Sequence, residues 1–305
     1  MTHGNDRLGT CLILGANGQV GHEVSRDVSP VARVIRANRR DVDLTSANAI
    51  RAVIRSANPS LIINAAAYTA VDQAETDTDT CWSVNATAVG IIAEEAARIG
   101  AGVIHYSTDY VFDGTKGAEY SETDAPAPIS TYGRSKLAGE RMIADTGVPH
   151  IILRTSWVYG ARGRNFPLTM LALARQRDTL RVVADQVGAP TWSRAIGAAT
   201  ASLIARAGGT RAFATEVSGA VSGVYHLASG GSTTWHGFAL AALALDPFPD
   251  EQVCTRVEPI TTIEYPTPAP RPRNSLLNCE KIESTFGIAL PDWSESLRLA
   301  FEKAH

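Results

Sequence analysis

The chain has 305 residues, of which 45% are hydrophobic and 19% charged, and its formal net charge is -3 at pH 7. This composition is typical of a globular protein and excludes a disordered or fibrous chain, and the length allows a sizeable core in two lobes. A slightly acidic chain has no overall attraction for nucleic acid or anionic membranes, so we expect neither as a partner and look for phosphate sites that are local.

The cysteines and the N-terminal segment indicate a cytoplasmic protein. The four cysteines are scattered, with no CxxC or histidine-rich spacing, which argues against a zinc site or a disulfide framework. Residues 1–10 are polar and lack the apolar segment of a signal peptide. The apolar runs are too short to cross a bilayer.

Short apolar runs alternate with helix-like stretches through the first half of the chain. Strands are predicted at Thr10–Leu14, 32–35, Leu61–Asn64 and 102–106, and helices at Gln19–Val28, 48–56 and 79–99. Strands separated by helices are typical of βαβ units, so we expect a parallel sheet.

The pattern becomes less regular after residue 150. A strand is predicted at 150–154, a helix at 166–175 and another strand at 223–227. The proline-rich segment 265–274 is predicted to be a loop, because proline fixes φ and removes a backbone donor. We therefore expect a doubly wound α/β domain over residues 1–155. Segments near 170–190 and 222–242 are expected to return to it, and 156–305 to form mainly a smaller α/β lobe.

A glycine-rich turn follows the first predicted strand. Gly15, Gly18 and Gly21 lie at GxxGxxG spacing between that strand and a helix. In dinucleotide-binding folds the first glycine permits the tight turn, the second lets the backbone approach a pyrophosphate, and the third lets the helix pack closely on the strand. The helix N-terminus then faces the phosphates. The position of the turn near the chain start indicates a Rossmann-type dinucleotide site.

The end of the second predicted strand bears on the choice of cofactor. An acid that would bind the adenosine ribose is absent there, and three arginines, Arg36, Arg39 and Arg40, are present instead. Arginine at this point pairs with a 2′-phosphate, so we expect NADPH, with NADH as the alternative. Asp43 and Leu44, slightly further on, suit an adenine pocket.

A tyrosine and a lysine occur at i and i+4 in residues 132–136 (YGRSK). On a helix Tyr132 and Lys136 share a face, and a nearby ammonium lowers the pKa of a phenol, so the tyrosine can act as a general acid or base. Ser107 and Thr108 follow a predicted strand, at the edge of a parallel sheet where ligands bind. Either hydroxyl is a candidate to bind the substrate oxygen beside Tyr132.

These elements resemble the extended short-chain dehydrogenase/reductase family, and within it the dTDP-4-dehydrorhamnose reductase family. The resemblance covers nearly the whole chain, from Gly15 to residues 290–293. Its most specific strings are residues 64–72 (NAAAYTAVD), 105–112 (HYSTDYVF) and 154–160 (RTSWVYG), and residues 188–191 (GAPT) and 271–275 (RPRNS) add to it.

The resemblance implies roles for individual residues. Thr108, Tyr132 and Lys136 are expected to be catalytic, with Lys136 also holding the nicotinamide ribose. The sugar nucleotide is expected to contact Thr108, Asp109 and Trp157, and Arg271 and Arg273 are our candidates for its diphosphate, because a guanidinium fork matches phosphate oxygens. Asn85 resembles the asparagine that supports the active-site helix. The expected cofactor contacts are Gly15, Asn17, Gly18, Gln19, Val20, Gly21, Asn38, Arg39, Asp43, Leu44, Ala65, Ala66, Ala67, Tyr106, Tyr132 and Lys136.

The implied reaction is reduction of the C4 keto group of dTDP-4-dehydro-β-L-rhamnose to dTDP-L-rhamnose, with Tyr132 as proton donor. Some members hold Mg²⁺ at a dimer contact built from carboxylates, and Glu23 matches one such ligand. Arg194, however, stands where an acid would be useful, and a basic side chain is a poor Mg²⁺ ligand. We therefore predict no metal site, and a Mg²⁺ requirement and a homodimer stay open.

Two other functions share much of this pattern. A reductase or epimerase for another nucleotide-4-keto-sugar would keep the fold and the Tyr–Lys chemistry, since function lies in the pocket; an epimerase would not consume NADPH. A regulatory subunit of methionine adenosyltransferase resembles the same family without catalysis. The intact Thr108, Tyr132 and Lys136 argue against that non-catalytic role.

Overall fold

The computed structural model describes residues 9–302, so the polar segment discussed above lies outside the described residues except for its last two positions. The strands are β1 Thr10–Leu14, β2 Arg33–Ala37, β3 Leu61–Asn64, β4 Gly102–Thr108, β5 His150–Thr155, β6 Val158–Tyr159, β7 Thr179–Val183, β8 Val187–Gly188, β9 Thr191–Trp192, β10 Gly223–His226, β11 Thr233–Thr234 and β12 Arg256–Ile260. The helices are α1 Gln19–Val28, α2 Ala47–Ala57, α3 Thr78–Trp82, α4 Ala88–Ile99, α5 Thr131–Thr146, α6 Phe166–Ala174, α7 Ser193–Arg206, α8 Phe213–Glu216, α9 Trp235–Ala244, α10 Glu280–Phe286 and α11 Trp293–Phe301.

Six strands form a parallel sheet in the order β10-β5-β4-β3-β1-β2. The chain starts in the interior of the sheet at β1, moves to one edge at β2, and then crosses over β1 to β3, β4 and β5. This reversal of direction between β1 and β3 is the switch point at which ligands bind in doubly wound folds. The sequence prediction of an α/β fold with a parallel sheet is confirmed.

Helices cover both faces of this sheet because its strands are apolar on both sides. Alternate side chains of β1, such as Cys11 and Ile13, pack with α1 and α7, whereas Leu12 and Leu14 pack with α2 and α4. The two layers bury the central strands almost completely, and all seven residues of β4 are buried. A buried sheet leaves its carboxyl edge as the place where loops can build a site.

The second half adds smaller units. β12 pairs with β7, β11 with β8 and β6 with β9, each as a separate two-stranded sheet. Of the segments expected to return to the first domain, β10 joins the six-stranded sheet, whereas β7 pairs with β12 instead. The division of the chain into two lobes stays a prediction. No helix among residues 9–302 is long and apolar enough to cross a membrane.

Two details differ from the sequence prediction. The single helix predicted at 79–99 is α3 and α4 joined by a π-helical turn, Ser83–Thr87. The second strand begins one residue later than predicted and extends to Ala37, because all five of its residues pair with β1. The proline-rich segment 265–274 contains neither helix nor strand, as predicted.

Candidate active site

The glycine turn between β1 and α1 has the shape that a dinucleotide requires. Gly15 has φ +75°, and a Cβ there would lie 2.6 Å from the Ala66 backbone nitrogen. A Cβ at Gly21 would overlap the Gly15 carbonyl oxygen. No side chain caps the N-terminus of α1, so its first N–H groups are available to phosphate oxygens. Asn17 and Gly18 are exposed on the turn. The residues present therefore fit a dinucleotide.

The residues after β2 lie beside this turn. The Arg36 guanidinium reaches across to donate to the Ala16 carbonyl at 3.3 Å, and Arg39 is exposed. The Asn38 side chain accepts from the Arg40 N–H, and the Asp43 carboxylate accepts from the backbone and hydroxyl of Thr45. These hydrogen bonds with Thr45 lower the pKa of Asp43. Leu44 packs against the core beside α2.

Thr108 and Tyr132 meet where β4 ends. Thr108 caps the short helical turn that follows β4, and its hydroxyl donates to the Asp109 carboxylate at 3.0 Å. The Thr108 hydroxyl faces the Tyr132 phenol. Burial raises the pKa of the Tyr132 phenol above its usual value, and the Thr108 hydroxyl acts to lower it. The phenol therefore holds its proton at neutral pH.

Lys136 lies one turn along α5 from Tyr132 and is 2% exposed. Its Nζ donates to the Tyr106 carbonyl at 2.6 Å and lies 3.2 Å from Nε2 of His105. Burial lowers the pKa of Lys136 to about 8. The net pKa of Tyr132 is raised by burial, and Lys136 is directed at the Tyr106 carbonyl, so the lowering of the Tyr132 pKa by Lys136 stays a prediction.

The predicted cofactor residue Tyr106 contributes only its carbonyl at this place. Its phenol lies in the core against α7, 2.6 Å from the Thr200 hydroxyl. Ala65, Ala66 and Ala67 follow β3 and are partly exposed near the glycine turn. The structure thus brings the glycine turn, the alanine loop and the Tyr132–Lys136 pair to the carboxyl edge of the sheet.

Asn85 supports the helix that carries Tyr132. It lies in the π-helical turn, where its amide donates to the Ser135 hydroxyl at 3.1 Å and to the Tyr68 carbonyl at 3.1 Å, while its oxygen accepts from the Tyr68 N–H. Ser135 also contacts the thiol of Cys81, which packs against Tyr132. Neither Ser135 nor Cys81 was predicted as a site residue; the available signals were that Ser135 lies between Tyr132 and Lys136 and that Cys81 lies in the helix predicted at 79–99.

Behind β4, a buried ion pair joins α5 to β5. Arg154 donates to both oxygens of Glu140, at 2.9 and 2.6 Å, and the Ser107 hydroxyl bonds to the same carboxylate. Ser107 therefore faces this ion pair, and Thr108 is the hydroxyl beside Tyr132. This ion pair was not predicted from the sequence. The available signal was a glutamate and an arginine within buried elements.

Trp157 lies just beyond β5, whose Thr155 pairs with Thr108 of β4. Its backbone has φ +46°, an uncommon conformation for a residue other than glycine. The indole stacks on Trp235 with ring centroids 3.6 Å apart and planes 8° apart. Gly188 allows this position, because a Cβ there would overlap the indole ring.

Arg271 and Arg273 differ in their surroundings. Arg271 is paired with Asp72 at 2.9 Å, and its guanidinium lies 5.9 Å from the Tyr110 ring centroid. Arg273 is exposed. Asp109 is 3% exposed, and burial raises its pKa to about 6. Its Oδ2 is buried without a hydrogen-bond partner among the described residues.

Asp109 Oδ2 is one of several such atoms at this edge, together with Thr155 Oγ1. Buried polar atoms without partners are costly and mark places where a ligand supplies the missing hydrogen bond. No group of acidic, histidine and cysteine side chains in the described part of the chain has a metal-binding arrangement. Glu23 is paired with Arg26 at 2.7 Å.

A doubly wound sheet, a glycine turn and a hydroxyl–tyrosine–lysine arrangement together define a reductase of the extended short-chain dehydrogenase class. The family model described as the RmlD substrate binding domain matches residues 9–305. A dTDP-4-dehydrorhamnose reductase of Burkholderia thailandensis is 46% identical over 94% of this chain and 96% of its own, and that of Salmonella typhimurium is 42% identical over 92% and 93%.

The fold agrees with these relatives. The crystal structure of a dTDP-4-dehydrorhamnose reductase from Bacillus anthracis, in complex with NADP, has a TM-score of 0.86 and 32% identity and covers 96% of this chain and 99% of that one. The chain belongs to the dTDP-4-dehydrorhamnose reductase family. It is accordingly an NAD(P)H-dependent oxidoreductase with a nicotinamide cofactor.

Proposed function

We propose that this protein reduces the C4 keto group of dTDP-4-dehydro-β-L-rhamnose to give dTDP-L-rhamnose. The observation that carries the proposal is the buried Tyr132, with Thr108 beside it and Lys136 one helical turn away, in a chain that is 46% identical to a dTDP-4-dehydrorhamnose reductase. The substrate is inferred from the family, and the role of Tyr132 as proton donor is inferred from its surroundings in the site.

Each residue of the site has a separate role in the proposed reaction. A nicotinamide cofactor bound at the glycine turn would supply the hydride, and Tyr132 would give its proton to the carbonyl oxygen of the substrate. The Thr108 hydroxyl, which donates to the Asp109 carboxylate in the cofactor-free protein, would turn to donate a hydrogen bond to the developing alkoxide and stabilise its negative charge. Asp109 has a free buried oxygen that suits a sugar hydroxyl. Trp157, fixed by its stacking on Trp235, provides an apolar surface for the sugar ring.

We assign the diphosphate of the substrate to Arg273 and Arg271. Arg271 must release Asp72 before it can bind a phosphate. Arg273 is exposed and ready for an anion, whereas Arg271 already neutralises Asp72. A phosphate must compete with that carboxylate, so Arg273 is expected to contribute more to binding. A cytoplasmic location and a homodimer stay predictions.

NADPH is the proposed cofactor because the end of β2 is basic. Arg36 lies against the glycine turn, and Arg39 is exposed close by, so both are placed to pair with a 2′-phosphate. Replacing Arg39 by alanine should weaken NADPH binding about tenfold and leave NADH binding nearly unchanged. Equal weakening of both cofactors would contradict the assignment.

The function is tested by adding purified protein to dTDP-4-keto-6-deoxyglucose, the 3,5-epimerase and NADPH, while the nicotinamide absorbance is followed. We expect consumption that requires the epimerase and yields dTDP-L-rhamnose. Protein that binds NADPH but consumes none would overturn the rhamnose assignment. Turnover of another nucleotide-4-keto-sugar would then identify the related reductase, and an epimerised product without NADPH consumption would identify an epimerase.

A further inference from the structure

Three buried polar side chains form a continuous line behind Tyr132. Asn64 ends β3, His105 lies inside β4 and Lys136 is on α5, and they are 1%, 0% and 2% exposed. Asn64 Nδ2 is 3.1 Å from His105 Nδ1, and His105 Nε2 is 3.2 Å from Lys136 Nζ. The proposed reaction uses Lys136 and leaves His105 without a role.

The hydrogen on His105 can be located from its neighbours. The Ala66 backbone N–H donates to Asn64 at 3.2 Å, and since an N–H can only donate, the Asn64 atom it meets is the amide oxygen. The amide nitrogen of Asn64 therefore faces His105. Because that nitrogen can only donate, His105 Nδ1 must be an acceptor. A neutral imidazole that accepts at Nδ1 carries its hydrogen on Nε2, which faces Lys136.

This arrangement requires Lys136 to accept a hydrogen bond. An ammonium has no lone pair and would place two donors against each other, whereas a neutral amine has one lone pair and two N–H groups. One of those N–H groups donates to the Tyr106 carbonyl at 2.6 Å. The geometry around Lys136 is thus complete only for the neutral amine.

The electrostatic surroundings act in the same direction. Burial lowers the pKa of Lys136 to about 8, and it exceeds the opposing effects of Glu140 on α5 and Cys81 on α3. The charge of Glu140 is largely compensated by Arg154, 2.6 Å away. Burial also lowers the pKa of His105 well below its usual value, with Lys136 and His150 adding to the shift, so His105 is neutral.

We propose that His105 is a positioning residue that donates its Nε2–H to Lys136 and so favours the neutral amine of this lysine over its ammonium in the cofactor-free protein. The charged lysine needs the reverse arrangement, with the Asn64 amide turned over, the His105 hydrogen on Nδ1 and the Ala66 N–H released. Ala66 lies in the predicted cofactor loop. The line of side chains therefore links contacts at that loop to the protonation of Lys136. The proposal rests on the proposed function only in taking Lys136 as a cofactor-binding lysine.

The first test measures the tautomer directly, without cofactor or sugar. Protein labelled with ¹⁵N-histidine is studied by two-bond ¹⁵N–¹H correlation spectra, and the His105 signals are assigned by their loss in His105→Gln. We expect a neutral ring with its hydrogen on Nε2 at about pH 9, above the pKa of Lys136, where this lysine is the neutral amine. A hydrogen on Nδ1, or a charged ring, would overturn the proposal whatever reaction the protein catalyses.

The second test measures Lys136 through the pH dependence of the Kd for NADH, which lacks the titrating 2′-phosphate. The wild type should show an inflection near pH 8 that is absent in Lys136→Met. In His105→Gln the carboxamide can turn its oxygen towards an ammonium, so the inflection should move up by about one pH unit, a roughly tenfold change in proton affinity.

His150→Gln is the matched control, because His150 is a buried histidine on β5 that bonds to the Val148 carbonyl and Ser222 rather than to Lys136. In His150→Gln the inflection in the Kd for NADH should stay at the pH of the wild type. An inflection in His105→Gln that equals that of the wild type would refute the proposal. If NADH does not bind at all, the proposed function fails, and the tautomer spectrum still decides the role of His105.

Discussion

Tyr132 carries the proton of the proposed reaction, and its surroundings keep that proton in place. Burial raises the pKa of its phenol, and the hydroxyl of Thr108 limits the rise. A reduction needs a proton donor, so a phenol that stays protonated at neutral pH suits this direction of the reaction. The tyrosine and lysine pair was predicted from a five-residue pattern; the state of each group depends on residues from other elements.

Replacing Tyr132 by phenylalanine should therefore lower kcat about 10²- to 10⁴-fold, because only the proton donor is removed. The Kd for NADPH should change less than about threefold, since the ring and its packing remain. Steady-state kinetics and a binding titration give the two quantities. Tyr225→Phe removes another buried phenol, one that donates to Val221, and should keep the wild-type kcat. A large loss of NADPH binding in Tyr132→Phe would show that the tyrosine has a structural role.

The Glu140–Arg154 pair has a structural role at the residue scale. Both side chains are 4% exposed, so each charge depends on the other for solvation. Glu140→Gln leaves Arg154 buried without its counter-ion and should reduce the free energy of unfolding by about 3–5 kcal/mol. The comparison is Glu258→Gln, whose partner Arg256 is 71% exposed and whose loss should cost less than about 1 kcal/mol. Equal decreases in the free energy of unfolding, measured by urea denaturation, would mean that the buried pair stabilises the fold no more than the exposed pair does.

Among the elements, α5 and the π-helical turn fit together through small residues. A Cβ at Gly139 would overlap the Asn85 carbonyl oxygen, and Val89 lies 3.5 Å from the same point. The wider π turn places Asn85 where it can bond to Ser135 on the facing helix. The sequence pattern predicted helix throughout this region, because a π turn keeps the helical periodicity of its apolar residues.

Gly139→Ala should force α5 away from the π-helical turn and cost about 1–3 kcal/mol of stability. Gly117→Ala is the control, since a Cβ there meets nothing within 4 Å and the φ angle is not positive. Chemical denaturation of both variants measures the difference. A Gly139 variant as stable as the wild type would mean that the two helices adjust without strain.

For the whole molecule, buried titratable groups determine how stability changes with pH. Burial lowers the pKa of His226 to about 3 and lowers those of His105 and His150 too. The unfolded chain therefore binds more protons below about pH 6.5, and stability falls as the pH falls. Asp109 acts in the opposite sense: its pKa is raised to about 6, so the folded state takes up that proton first.

Between pH 6 and 5 the unfolded state binds about one to two more protons than the folded state, because the effect of the three histidines is larger than the opposite effect of Asp109. The free energy of unfolding should therefore decrease by roughly 1–3 kcal/mol over this unit. Urea denaturation at several pH values measures the slope. His226→Gln should reduce it by about 1.4 kcal/mol per pH unit, because one titrating group is removed. Stability that is constant or increases towards pH 5 would contradict this assignment of buried neutral histidines.

The sequence by itself determined the order of strands and helices up to β4, the glycine turn and the Tyr132–Lys136 pair. Those features depend on local periodicity and on residues close together in the chain. Only the tertiary structure decided that β7 pairs with β12, that Arg271 is held by Asp72, and that His105 faces Lys136. Strand partners, ion pairs and protonation states depend on burial and on contacts between distant residues, and a one-dimensional pattern does not contain them.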